Sequence, residues 1–263
     1  MATWDAYQAR LESGGVTKRE RAKKHTQSYI STKIKDSLSC HDVLINGVVQ
    51  TVSILNQKED MALKKICALP GDTLLHGGLV DFSNSKWLIT ELDANDEVYT
   101  SGMMNRCNYL LKWLNGEGNI IEKWCIVEDG TKYLIGEKSE DMMSIGDARI
   151  AITIGKDSDT IELRRGKRFL VDDIDAGTPL AYQITKPNKL FNVYDGQGVF
   201  RFILNEVNMT DDDNVELRIA DYYNWKPAEK LDNEHQDLDI SLEDIIDSAS
   251  SSQNQDDDKE VWL

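Results

Sequence analysis

Between residues 70 and 225 no stretch of the chain carries helical periodicity of useful length. Strand-length apolar runs follow one another instead, separated by turns rich in Gly, Asn, Asp and Ser. A chain patterned in this way buries its apolar faces by pairing strands, so the fold class expected is mainly β. Residues 43–55 alternate around Asn46-Gly47, a dipeptide suited to a tight hairpin because both residues tolerate positive φ. Further strands are expected at 79–82 and 87–92 about the turn Ser83-Asn84-Ser85. A meander is expected at 107–114, 120–127 and 131–135, its turns being Asn115-Gly116-Glu117-Gly118 and Glu128-Asp129-Gly130. A second block follows at 148–154, 160–163, 167–171, 180–185 and 198–208. Residues 57–66 read as a short helical or looped passage that ends at Pro70-Gly71-Asp72.

The two blocks resemble one another. Gly78-Leu79-Val80-Asp81-Phe82 leads to Trp87-Leu88-Ile89-Thr90 and then to Leu110-Leu111-Lys112-Trp113. In parallel, Gly166-Lys167-Arg168-Phe169-Leu170 leads to Tyr182-Gln183-Ile184-Thr185 and then to residues 199–204. The recurring aromatic-x-Ile-Thr strand fits a tandem duplication of a small β-barrel or sandwich, and it also fits chance likeness between β-rich segments. The expected architecture is therefore N-terminal helices followed by one or two small antiparallel β-barrel or sandwich modules and an acidic C-terminal tail. The boundaries read as a helical arm at 1–36, a first β module at 37–138, a second at 139–225, and a tail at 226–263 that orders only with a partner.

The arm contains a first helix marked by Trp4, Tyr7 and Leu11, a break at Gly14-Gly15, and a second helix capped by Thr17 with Glu20 three residues on. Charge is distributed unevenly. Residues 17–35 hold seven basic side chains against Glu20 alone, and residues 226–263 hold twelve acidic side chains against three basic, within a total net charge of -16. The bland reading of the basic helix is a solvated surface helix. The sharper one is an arm laid against an acidic neighbour or near nucleic acid. An acidic chain is poorly suited to coating nucleic acid, which requires neutralising phosphates. No apolar run is long enough to cross a bilayer as a helix, and the N-terminus does not read as a signal peptide. The chain is expected to be a soluble, intracellularly made protein with no membrane partner.

Motifs that carry chemistry are few. Cys40, Cys67, Cys107 and Cys125 form no Cys-x-x-Cys pair and are expected to be reduced and structural. The histidines, His25, His41, His76 and His235, lack metal-site spacing. Gly196-Gln197-Gly198 lacks the third glycine of a dinucleotide loop. The runs Asp172-Asp173-Ile174-Asp175 and Asp211-Asp212-Asp213-Asn214 lack the glycine and closing Glu of a calcium loop and read as solvated acidic loops. No catalytic residue, cofactor or metal is expected, and the chain is not expected to be an enzyme.

Several strings together resemble structural proteins of tailed phages and prophages of Gram-positive bacteria, in particular the head–tail connector (head-closure or stopper) group. They run from Leu69-Pro70-Gly71 through residues 87–102, and continue through residues 107–113, 124–133 and 182–188. The element shared with that group is a small β-barrel with a Gly-Asp start, here Gly71-Asp72, and an aromatic-x-Ile-Thr strand, here residues 87–90. The resemblance implies a virion protein of the neck, at the head–tail interface. It would form a homo-oligomeric ring that contacts a portal or adaptor protein and tail-side proteins and lets DNA pass without sequence-specific binding. Many members continue into an immunoglobulin-like domain, where this chain has its acidic tail. Candidate subunit contacts are Lys18, Arg19, Arg21, Lys23, Lys24 and Trp262. Candidate channel or docking loops hold Asp93, Asp96, Glu97, Asp172, Asp173 and Asp175. Other readings are a capsid-surface or tail-side binding protein, and an enzyme with an unrecognised acidic site.

Overall fold

Strand pairing organises the chain into two barrel-like sheets. The computed structural model describes residues 17–58, 60–93, 97–129, 149–172 and 178–225, together with Trp4, Tyr7 and Gly15. The first sheet comprises β1 (Cys40–Ile45), β2 (Val48–Asn56), β3 (Leu63–Ala68), β4 (Leu79–Phe82), β5 (Ser85–Asp93) and β6 (Ser101–Arg106). All its pairs are antiparallel, in the order β1-β2-β3-β6-β5-β4, and the barrel closes where Leu44 and Ile45 pair with Asp81 and Val80. The second sheet comprises β7 (Tyr109–Leu114), β8 (Ile120–Asp129), β9 (Arg149–Gly155), β10 (Arg168–Asp172), β11 (Pro179–Asn188), β12 (Val193–Tyr194) and β13 (Gln197–Val207). Its order is β7-β8-β9-β13-β11-β10, with β12 as a short flap on β13. Two helices are described: α1 (Lys18–Lys35) precedes the first barrel, and α2 (Ser158–Ile161) lies between β9 and β10. The chain is mainly β, with two barrel-like sheets.

With β12 set aside, the two strand orders are the same, first-second-third-sixth-fifth-fourth. The correspondence extends to individual residues. Val80 faces Trp87 as Phe169 faces Tyr182, and Ile89 faces Met104 as Ile184 faces Leu204. A register shift interrupts β5 at Thr90 and β11 at Thr185, so both aromatic-x-Ile-Thr strands bulge at their threonine. The Gly77 amide donates to the Ile89 carbonyl at 2.9 Å, and the Gly166 amide donates to the Ile184 carbonyl at 2.9 Å. Both glycines have positive φ, +82° and +92°. The repeat glimpsed in the sequence thus runs through both barrels. Its frame pairs Gly166 with Gly77 rather than Gly78, and it pairs β13 with β6 rather than with the strand at residues 110–113.

The cores correspond too. Val43, Val52, Ile66, Val80, Trp87 and Met104 of the first occupy the register positions of Leu111, Cys125, Ile152, Phe169, Tyr182 and Leu204 in the second. Apolar identity is kept while volume drifts, the pattern that cores tolerate. The drift has one visible consequence. Ile45 pairs with Val80 across the hydrogen-bonded seam of the first barrel. The matching positions of the second hold Trp113 and Phe169, whose rings meet edge-on at 6.1 Å. These larger side chains stand between β7 and β10, and no strand ladder forms there. Side chains tie the seam instead: the Tyr109 hydroxyl donates to the Leu170 carbonyl at 3.2 Å, and Lys167 Nζ donates to the Leu114 carbonyl at 3.1 Å.

Several expectations change. The passage at 57–66 contains the start of β3, and β6 is a strand the sequence pattern does not announce. The segment expected as a strand at 160–163 contains the end of α2, whose N-cap Asp157 forms a reciprocal capping box with Thr160. The exchange from the first sheet to the second comes at residues 107–108, not at 138, because β7 and β8 pair into the second sheet. The strand expected at 131–135 and the tail at 226–263 lie outside the described residues. The hairpin at Asn46-Gly47 is present with φ of 50° and 83°, and Ser83 and Asn84 turn in the same way.

The barrels meet where side chains are missing. A Cβ on Gly77 would lie 2.0 Å from the Gly198 carbonyl oxygen, and one on Gly155 would lie 2.4 Å from the Gly77 carbonyl oxygen. Beside this backbone contact Leu88, Cys107, Ile126 and Val199 form a small shared core, with Leu79 and Trp124 against it. Burial pushes the Cys107 thiol up to about 12, despite the nearby charge of Lys86. Burial, and to a lesser degree Cys107, also raises Cys125, so both behave as apolar residues. Gly155 lies outside the left-handed region, so Gly155→Ala is a purely steric change against backbone. It is expected to cost about 1–3 kcal/mol, read as a lower urea midpoint at unchanged slope. An unchanged midpoint would show that the barrels do not meet there.

Candidate interaction surface

The basic helix is built as its sequence indicates. The Thr17 side chain accepts from the Glu20 amide at 3.2 Å, and Glu20 accepts from the Thr17 amide at 3.3 Å, which closes the capping box. Yet α1 buries no residue. Lys23, Gln27, Ile30 and Ile34 form a half-buried stripe, while Lys18, Arg19, Arg21 and Lys24 are exposed. Two contacts hold the stripe to the segment after β5: Arg19 to Glu97 at 2.7 Å, and Gln27 Nε2 to the Val98 carbonyl at 3.4 Å. An ion pair this exposed contributes at most about 1 kcal/mol. Arg19 thus meets an acid of its own chain, Glu97, and Lys18, Arg21 and Lys24 are exposed.

Of the candidate loop acids, Asp93 ends β5 and is exposed, as is Glu97 just beyond it. Asp172 ends β10 on the second barrel, at the position where β10 pairs with Pro179 of β11. These acids therefore divide between two modules and form no single cluster among the described residues. Asp96, Asp173, Asp175 and Trp262 lie outside the described residues.

Sequence reasoning missed a cluster in residues 208–225, which fold back over the outside of β10 and β11. There Ala220 packs on Leu170 and Ala181. Asp213 is no solvated acid: its side chain is 0% exposed and forms a two-pronged pair with Arg168, at 2.8 Å and 3.0 Å. Its carboxylate also accepts from the backbone amides of Thr210 at 2.8 Å and Asp221 at 2.9 Å. Burial opposes the charge. The two amides and the guanidinium outweigh it and hold the carboxyl below the ordinary carboxylate range. Asp221 and Thr210 also bind Arg168. Trp225 then packs on Gly118, and its indole donates to the Asn115 carbonyl at 3.0 Å, which ties the end of this segment to the first hairpin of the second barrel. Nothing in the run Asp211-Asp212-Asp213 marks one of its carboxylates as buried against Arg168.

The seam between the barrels holds two larger hollows. One of about 610 Å³ lies between His76, Thr90, Glu91 and Leu92 on one side and Asn192, Tyr194, Asp195 and Gln197 on the other. The His76 ring stacks on Tyr194 at 5.9 Å and bonds the Thr90 carbonyl at 2.9 Å. The other, about 670 Å³, is lined by residues 81–86, Arg106, Cys107 and Trp124. Among the described residues no group of three or more His, Cys, Asp or Glu is placed to hold a metal ion. Among them no helix is long and apolar enough to cross a membrane. What the molecule presents is surface: a cationic helix, acidic loop ends, and aromatic or apolar tips at Leu190, Phe191 and Tyr194.

Residues 17–106 match the family model described as the YomX N-terminal domain, a phage-derived family. The match begins at the N-cap of α1 and ends at the last residue of β6, so it covers the helix and the first barrel as one unit. It agrees with a phage-related protein. No curated protein and no solved structure matches the chain.

The Asp213 pair sets a pH dependence. Its folded carboxyl is depressed, so its stabilisation is full above the ordinary carboxylate pKa of about 4 and is lost as pH falls through that value toward the folded one. Asp213→Asn is expected to lose about 3 kcal/mol at neutral pH and to flatten the fall in stability on acidification. Urea titrations at neutral and acidic pH check this; a wild-type acid slope retained in the variant would assign that slope to other groups.

Proposed function

We propose that the chain is a structural component of a phage particle, a head–tail connector protein of the head-closure or stopper kind. In this reading it forms a ring around the DNA path between the portal or adaptor and the tail. The observation that carries it is the architecture: two barrel-like sheets of one strand order in close backbone contact, preceded by a cationic helix with no fully buried residue. Such a molecule is a spacer with docking faces. Its surface features suit protein contacts better than turnover of a small substrate.

Electrostatics supports the same reading. A net charge of -16 lets a passing polyanion slide without sticking. Ring closure needs heterologous contacts, in which one patch meets a different patch on the next copy. The exposed cations of α1 and the acidic loop ends offer such a pair. The apolar tips at Leu190 and Phe191 favour a second reading, a tail-side or capsid-surface binding protein, which would place the chain outside the neck.

Particles from a host carrying the encoding phage, imaged by cryo-electron microscopy, test the proposal. Density for both barrels is expected in a ring at the head–tail junction. A nonsense mutation early in the chain is expected to leave filled heads that fail to join tails. Density on the capsid exterior or tail tip, or normal particles without the chain, would overturn it.

A further inference from the structure

The hollow of about 670 Å³ lies where the chain crosses from one sheet to the other, and strand register assembles its walls. Trp87 of β5 faces Arg106 of β6, and the Cys107 amide donates to the Lys86 carbonyl at 2.8 Å. Lys86 and Arg106 therefore stand on neighbouring strands, one at the start of β5 and the other at the end of β6. Just beyond the crossover, the Asn108 amide donates to the Cys125 carbonyl at 3.2 Å, and Leu110 faces Trp124. An indole of the second sheet is thus set beside two cations of the first. The Ser83–Ser85 turn between β4 and β5 completes the lining, with Asp81 opposite Lys86 in the ladder.

Each wall has binding capacity left over. Arg106 is exposed and makes no ion pair among the described residues. Lys86 pairs with Asp81 at 2.6 Å, but the two side chains are 35% and 37% exposed, and a doubly charged phosphate can compete for such a contact. Trp124 packs against the shared core of Leu88, Cys107, Ile126 and Val199 yet stays half-buried, which leaves part of its ring to the hollow. An acidic side chain or a bare inorganic anion would use the cations alone and leave the indole and the turn without a role. A nucleoside phosphate uses all three: phosphate on Arg106 and Lys86, base against Trp124, and polar edges on the Ser83–Ser85 turn. The volume is that of a small-ligand site, and its place between two modules is a common one. A net charge of -16 opposes a longer polyanion track, so recognition is confined to one nucleotide.

We propose that this hollow binds a nucleoside phosphate, either a free nucleotide or the phosphorylated end of a single strand, with Arg106 and Lys86 on the phosphate and Trp124 against the base. The inference rests on the hollow alone and stands apart from the connector reading, since it needs neither a ring nor a place on the particle.

Isothermal titration of the full chain tests this with four probes: deoxyadenosine monophosphate, inorganic phosphate, a 5′-phosphorylated oligodeoxyadenylate and its unphosphorylated form. The nucleotide is expected to bind at least about tenfold more tightly than phosphate, and more weakly at high salt. Arg106→Ser is expected to weaken nucleotide binding at least about tenfold at an unchanged thermal midpoint, because Arg106 is exposed. Trp124→Leu is expected to weaken the nucleotide and leave phosphate unchanged. Trp124→Phe, which keeps a ring, is expected to retain most of the affinity and serves if the leucine variant does not fold. Binding of the phosphorylated strand as tight as the nucleotide, with none by the unphosphorylated strand, supports the strand end as source. Binding of the nucleotide alone supports the free ligand. No binding by any probe, or nucleotide binding that survives Arg106→Ser, overturns the site. Phosphate binding as tight as the nucleotide overturns the role of Trp124, and with it the nucleoside.

Discussion

Everything above the level of a single barrel depends on one steric condition: three backbone segments, at Gly77, Gly155 and Gly198, approach more closely than any side chain permits. Apolar packing alone would let two barrels roll over one another, since a patch formed by Leu88, Cys107, Ile126 and Val199 is small and non-directional. Backbone against backbone is different. It leaves few rotational settings in which the carbonyl of Gly77 clears Gly155. The linker of two residues between β6 and β7 then adds a short tether. The two barrels therefore meet in one close backbone contact.

The barrels divide the work of stability differently. The first closes by a strand ladder, and Ile45 and Val80 are small enough to allow it. The second trades that ladder for aromatic bulk, Trp113 against Phe169, and recovers polar satisfaction through Tyr109 and Lys167. It also takes a further layer from residues 208–225, pinned by the buried Arg168–Asp213 pair. The two sheets thus differ at their seams while sharing strand order, threonine bulges and turn glycines.

The physical origin of each element decides how much of this was legible in the sequence. Strands with one apolar face and a glycine turn, such as β1, β2, β4 and β5, can be read directly, and so can the Thr17–Glu20 cap. β3 and β6 cannot. Leu-Lys-Lys-Ile-Cys-Ala and Ser-Gly-Met-Met-Asn-Arg have weak alternation, and their burial comes from pairing with each other in a closed barrel. Gly102 makes the point: it sits in β6 because the Glu91 carbonyl, pushed out by the Thr90 bulge, would lie 2.5 Å from a Cβ there. Asp195-Gly196 turns with φ of 50° and 81°, in the manner of Asn46-Gly47. Of the interaction residues, the cationic helix was visible as composition.

The ladder that closes the first barrel has a consequence in time. All six of its strands lie between residues 40 and 106, so the whole hydrogen-bonded cylinder is available before β7 leaves the ribosome. The second barrel is completed later: its outer layer waits for residues 208–225, synthesised after every strand. During that interval the finished first barrel offers its Gly77 face as a template on which β9 and β13 can be set in register. Translation order and fold order then coincide, and the slower, later barrel matures against a surface already in its final shape.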